Sequence, residues 1–437
     1  MSDLKQKLAK STITCLIPFF TCATILSTAI AQIDLVNLLK SSAYDLVASL
    51  LLQNFTLCLG TLAAPILYKL CHKLAVCGTS LIICGTLYAL ISNSQTLASY
   101  YCFTLLLGFV SGLIVPSTYV LMSKIWKEKS GPFVHSISLS FVLSTIVVPL
   151  IFKPFVTKKI ITYPSCDETI FESESSQLNA TESKCFDGKD SRIWIPYSMI
   201  GLCAIILGIL TLAFHFYTRG ESKVEVKNYG EKKNKQKEIE NTTANLNVQF
   251  RKIAITAVTL AIFAQYGLII SIIQFWVVFI VHYDFNYLKK EALSVLVTFS
   301  LSAIMSSIFA IAMSTKFKAE LVFHLISTVI ASGALIQLFL ANSTRALSLI
   351  SVMIVAFHFG AAPSATFNCL SKRFKTSHLL VSLLMLAITI PGATGVTVIM
   401  GFHFESFPIT IISLLVAISD ALFSLLLKLS DKSQKVV

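Results

Sequence analysis

The stretch "LLGFVSGLIVPSTYVLMSKIWKEKSGPFVHSISLSFVLSTIVVPLIFKPF", residues 106–155, decides the fold. Two apolar runs, 98–122 and 132–153, flank a turn that carries Lys124, Lys127 and Lys129. Each run meets the ~20 residues that a helix needs to cross ~30 Å of hydrocarbon. Joined by a short basic turn, they read as a membrane hairpin. The turn belongs on the cytoplasmic side, where lysine and arginine accumulate. The second run nevertheless holds His135, four serines at 136, 138, 140 and 144, and Pro149. Polar groups inside a membrane are costly and normally have a partner or a task.

Working outward from this hairpin, the same pattern fills the chain. Of the 437 residues, 55% are hydrophobic and 13% charged; soluble domains carry roughly 25% charged residues. Twelve spans are expected, at 11–33, 45–68, 74–93, 98–122, 132–153, 193–216, 253–281, 291–314, 320–341, 344–367, 377–400 and 404–427. The expected fold class is an all-α integral membrane protein of twelve transmembrane helices, because lipid leaves an unpaired backbone group without a partner. The basic start "MSDLKQKLAK" precedes an apolar run long enough to span, so it reads as a retained first helix rather than a cleaved signal.

With the N-terminus inside, the cytoplasmic segments hold 25 of the 35 lysines and arginines. Leaving out the two long loops, the ratio is 16 inside to 4 outside. A miscount by one span would scramble this alternation, so the count supports twelve spans, with both termini cytoplasmic. The net charge of +13 is thereby loop charge and gives no reason to expect nucleic acid as a partner.

The polar segment 217–252 divides the spans six and six. The expected organisation is an N-terminal half at 1–216, a cytoplasmic linker at 217–252 and a C-terminal half at 253–437. Two six-helix halves joined in this way are a transporter architecture. The other long loop, 153–192, falls outside. It carries "NAT" at Asn179, a glycosylation pattern, flanked by Cys166 and Cys185, which are expected to pair in an oxidising compartment. The acceptor patterns at Asn54, Asn241 and Asn342 are poorly placed for modification. Nine of the eleven cysteines lie in or beside apolar runs and read as buried thiols.

Within the opening stretch, Gly108, Gly112, Trp126, Gly131, Pro132, Ser140, Phe141 and Pro149 carry a family resemblance. They resemble the fourth and fifth spans of the major facilitator subgroup that contains the sodium-dependent glucose transporter type. Asp34 and Leu35 in "AQIDLVNLL", Tyr266 and Trp276 in "AQYGLIISIIQFW", and Gly360 and Pro363 in "FGAAPSATFNCLSKRF" match its first, seventh and tenth helices. The resemblance implies the major facilitator fold and transport of a sugar. There are departures. His135 stands at that pattern's glutamine and Ser138 at its histidine. Ile270 replaces an acidic residue of the seventh helix, and Lys69 replaces the signature aspartate after the second.

The candidate substrate-binding residues are Gln53, His135, Gln265, Gln274, Trp276 and His358. An amide paired with an aromatic suits a sugar, whose hydroxyls need donors and acceptors and whose C–H face stacks on a ring. His135 reads as a substrate contact or proton-linked switch, or else as an interface histidine bonded to a neighbouring helix. Gln53 shares a stripe with Thr56 and Gly60, and the alternative there is interhelical packing. Ser136, Ser140 and Ser144 share one face and read as packing residues. The kink expected at Pro149 frees a carbonyl that a neighbouring helix must satisfy. Asp34 and Asp420 are the ion-coupling candidates; for Asp34 the alternative is an interfacial capping acid.

The expectation is a monomeric, multi-pass protein of the plasma membrane in contact with lipid. It is not an enzyme and has no metal site. It moves a small polar solute, a hexose above all, by alternating access. It carries no cofactor beyond sodium or a proton as coupling ion. Its rivals are transport of another solute, such as an organic anion, and a transport-inactive scaffold or sensor.

Overall fold

The structure is a computed structural model. It describes residues 2–41, 43–155, 192–229, 289–340 and 345–373, with helical positions at 381, 382, 386 and 418. Among the described residues every regular element is a helix, as lipid requires. In chain order these are α1 (Ser2–Ile30), α2 (Gln32–Leu39), α3 (Ala43–Leu70), α4 (Lys73–Ile91) and α5 (Leu97–Trp126). Then follow α6 (Ser130–Phe152), α7 (Trp194–Tyr229), α8 (Lys289–Lys316), α9 (Ala319–Leu340) and α10 (Arg345–Arg373).

Eight of these helices contain a stretch long and apolar enough to cross a membrane. They coincide with expected spans one to six, eight and ten, and α9 covers the ninth. The expected spans 253–281, 377–400 and 404–427 lie outside the described residues. The first thirteen residues of the expected linker, 217–229, continue α7 as helix.

Two expectations need correcting. The first span does not run unbroken to 33: the helix is interrupted at Ala31 and resumes as α2. Asp34, in the first turn of α2, is 1% exposed and so is covered by protein. The helix restart carries it in among the apolar ends of α4, α6 and α7, where Leu35, Tyr88, Phe152 and Tyr197 share one core. The cysteines also divide. Cys22, Cys77, Cys84 and Cys369 are buried, whereas Cys71, Cys102 and Cys203 are exposed. A thiol is small and apolar enough to face lipid as readily as a core.

Local chemistry sets the ends of the opening hairpin. Thr96 accepts the Ser99 backbone N–H at 3.2 Å and Ser99 closes the reciprocal bond, a capping box that starts α5. The turn into α6 is a single 3₁₀ turn, Lys127–Lys129, entered through Lys127 at φ 47°. A lysine in that region is strained by ~1–3 kcal/mol.

Helices pack through small residues and hydroxyls, since apolar side chains gain nothing by leaving lipid. A Cβ on Gly78 would sit 3.0 Å from the Gly208 carbonyl, so α4 and α7 touch backbone to backbone. Gly108 and Gly112 on α5 press against the α3 backbone at Gln53 and Leu57, and Gly60 presses back against Phe109. The Gln53–Thr56–Gly60 stripe is therefore the α3–α5 interface. Gly360 on α10 meets the Ala303 carbonyl of α8 in the same way. The second–fourth and eighth–tenth span pairs thus share a packing device, an echo between the halves that residue identity does not show.

Prolines are accommodated by the same contacts. Pro116 has no N–H for the Gly112 carbonyl, and Thr61 of α3 shares its hydroxyl between that oxygen (3.3 Å) and its own Leu57 carbonyl (2.9 Å). Tyr68 donates to the adjacent Leu113 carbonyl. Pro149 frees the Thr145 carbonyl, and Ser300 of α8 donates to it at 3.5 Å. The neighbouring-helix partner required at Pro149 is thus present, supplied by the other half of the chain.

Candidate functional site

Helix α6, before the 217–252 segment, lies against α8 and α10, which follow it. The sequence of α10 allows this approach: Gly360, Ala361, Ala362, Ser364, Ala365 and Thr366 are all buried and all small. On α6, Pro132 occupies the first turn, where its missing N–H is harmless. The next turn presents His135, which has no exposed surface and lies about 8 Å along the helix from Ser130.

His135 Nδ1 lies 2.6 Å from the Ser364 hydroxyl of α10. One turn nearer the basic end, a Cβ on Gly131 would lie 3.1 Å from Asn368 Nδ2 and 3.6 Å from Ser314 Cβ of α8. Tyr119 of α5 packs on Phe367 of α10 at 5.0 Å between ring centroids. Trp126 stacks on Phe133 at 3.7 Å and 6°, and its indole N–H donates to Ser11 of α1 at 2.7 Å. These contacts close the seam near the end that carries Lys124, Lys127, Lys316, Lys372 and Arg373.

Two buried polar atoms at this contact have no hydrogen-bond partner, His135 Nε2 and Asn368 Oδ1, and Ser138 Oγ on α6 is a third such atom. Ser138 is one turn beyond His135 on α6, and Asn368 is one turn beyond Ser364 on α10. Orphaned buried atoms cost free energy and are few in native proteins. Others lie elsewhere among the described residues, among them Gln53 Nε2, Asn54 Nδ2 and Ser306 Oγ. Both readings of His135 meet here: it is an interface histidine, and its second nitrogen is still unused.

The other expected site residues scatter. Gln53 is buried with Nε2 unpartnered, and its carbonyl lies against Gly108, so its backbone serves packing. His358 is buried and donates through Nδ1 to the Ile326 carbonyl of α9 at 3.1 Å, a tie within the C-terminal half. Asp34 is the one buried carboxylate among the described residues, in the core that holds Tyr88 and Tyr197. Ser136 and Ser144 bond back to the carbonyls of Pro132 and Phe141, the usual habit of membrane serines. Gln265, Gln274, Trp276, Asp420, Asn179, Cys166 and Cys185 lie outside the described residues. Ser364 and Ser314 were not foreseen. The signal available for Ser364 was its i, i+4 spacing with Asn368 in a run of small residues.

No protein-family model matches the chain, and no curated protein matches it. Solved structures do. The major facilitator superfamily proton:xylose symporter XylE, bound to 6-bromo-6-deoxy-D-glucose, superposes with TM-score 0.70 at 12% identity, over 96% of this chain and 95% of that one. The E. coli fucose:proton symporter FucP superposes with TM-score 0.66 at 12% identity, over 97% and 99%. A D-xylose–proton symporter gives 0.61 at 12% identity, over 94% and 97%. The likeness covers nearly the whole of both chains, and the protein is a multi-pass membrane protein with the major facilitator fold.

Proposed function

We propose that the protein is a secondary transporter that carries a small uncharged polar solute, a hexose or pentose, by alternating access. The observation that carries this reading is the pair of orphaned polar atoms, His135 Nε2 and Asn368 Oδ1, where α6 meets α10. A solute bound there would touch both halves at once, so rocking them apart would release it to one side. The similar structures of sugar:proton symporters support the sugar reading, as does the resemblance of residues 106–155 to the sodium-dependent glucose transporter type.

A second observation favours a sugar over an organic anion. Among the described residues no lysine or arginine is buried. An anion held in low dielectric needs a nearby cation or it is expelled. Coupling to a proton or sodium would fall on Asp34 or Asp420. We propose in addition cytoplasmic termini, a cytoplasmic 217–252 linker between the halves, an external 153–192 loop with Cys166 paired to Cys185 and Asn179 glycosylated, and a monomer in the plasma membrane. Gln265, Gln274 and Trp276 would complete the solute site from the seventh span.

The test is uptake of radiolabelled D-glucose, D-xylose and L-fucose into proteoliposomes under a sodium gradient, a proton gradient, and neither. Saturable uptake of one sugar supports the reading, and the driving gradient identifies the ion. Absence of uptake of all three under every condition, with uptake of an organic anion or none, overturns it.

A further inference from the structure

The contacts of one serine bear on what His135 offers. Ser364 Oγ donates to the Ala361 carbonyl at 2.9 Å, one turn back on its own helix. A hydroxyl has one proton and two lone pairs. That one proton can go to the Ala361 carbonyl or to His135 Nδ1, 2.6 Å away; where it stays on the carbonyl, Nδ1 carries the hydrogen and Ser364 accepts it. A neutral imidazole has one N–H. His135 Nε2 is then a bare lone pair, and it is the atom left without a partner.

We infer that Ser364 is a positioning residue that holds His135 in its Nδ1–H tautomer, so that Nε2 faces the seam as an acceptor for a hydroxyl of the solute. This rests on the transport reading above and deepens it by naming the polarity of one contact. The acceptor needs a donor: a sugar hydroxyl fits, and a carboxylate, which has only lone pairs to offer, is repelled. Asn368 Oδ1 adds a second acceptor on the opposite helix. Ser138 Oγ can act in either sense. The pattern matches an uncharged polyol that gives hydroxyl protons to both halves.

Two measurements test this separately from transport itself. The first is the ring ¹⁵N spectrum of His135 in ¹⁵N-histidine-labelled full-length protein in nanodiscs, assigned by loss of its signals in His135→Gln. A protonated Nδ1 with an unprotonated Nε2 is expected, and Ser364→Ala should turn this into a tautomer mixture. A protonated Nε2 in the native protein overturns the inference whether or not any sugar is carried.

The second uses the sugar carried best in the proteoliposome assay. An asparagine amide reaches the place of Nδ1 and a glutamine amide the place of Nε2. His135→Gln should keep KM within about threefold, whereas His135→Asn should raise it about tenfold, the weight of one lost hydrogen bond. Ser364→Ala should raise KM with kcat nearly unchanged, and Ser364→Thr should restore it. Equal KM for the two His135 variants, or a Ser364→Ala defect confined to kcat, overturns the role of Nε2. If no sugar is carried by the native protein, the transport reading fails while the spectrum still decides the tautomer.

Discussion

Thr61 and Pro116 make a pair whose energies are linked through one oxygen. The proline leaves the Gly112 carbonyl without its helical donor, and the threonine hydroxyl reaches it from α3. Interhelical hydrogen bonds in membranes average ~0.6 kcal/mol, so Thr61→Val should cost about 1 kcal/mol with the carbonyl left bare. In a Pro116→Ala background the new N–H satisfies that oxygen. There the same substitution should cost less than about half as much. A double-mutant cycle read by detergent unfolding checks this, and additivity of the two changes would exclude the shared oxygen. Asp34 is the other residue with a sharp consequence. Asp34→Asn should lower gradient-driven accumulation at least about tenfold while solute exchange without a gradient persists. Accumulation at the native level would remove Asp34 from the coupling step.

At the scale of elements, glycines differ in what they face. Gly112 lies against the Leu57 carbonyl and the Thr61 backbone nitrogen, and neither can move without moving α3. Gly112→Leu should destabilise the protein by about 3 kcal/mol through overpacking, seen as loss of the monodisperse peak in size-exclusion chromatography. Gly131 faces the end of the Asn368 side chain, which can swing away. Gly131→Ala should therefore cost less than about 1 kcal/mol and leave the peak intact. The helices themselves were legible from apolar run length, though α1 begins nine residues before its expected span and α7 runs thirteen beyond its own. The restart at Ala31 was not legible. "STAIAQIDLV" is uniformly compatible with helix, and nothing in it marks the break.

At the scale of the whole molecule, the proposed mechanism makes the contact between α6 and α8 the part that must open. The Gly131 Cβ position lies 3.6 Å from Ser314 Cβ, inside the ~3.5–4.5 Å separation of a disulfide. The double variant Gly131→Cys with Ser314→Cys should therefore crosslink α6 to α8 on mild oxidation. The halves should then stay joined in a gel after proteolysis of the 217–252 linker, and uptake should stop until reductant is added. A crosslinked protein that still transports would mean that these halves do not part at this end.

The sequence alone determined the membrane class, the number and order of spans and the basic end. Those follow from quantities that add along a chain: apolar length against bilayer thickness, and lysines and arginines counted loop by loop. It also singled out His135, because a polar group within an apolar run stands out whatever it touches. Only the tertiary structure decided its partner. Ser364 is 229 positions away, and a serine in a membrane helix is by itself no signal. The same holds for Ser300 at the carbonyl freed by Pro149 and for the burial of Asp34. Hydrogen bonds act over about 3 Å in space, and spacing along the chain carries no record of which residues two packed halves bring within that reach.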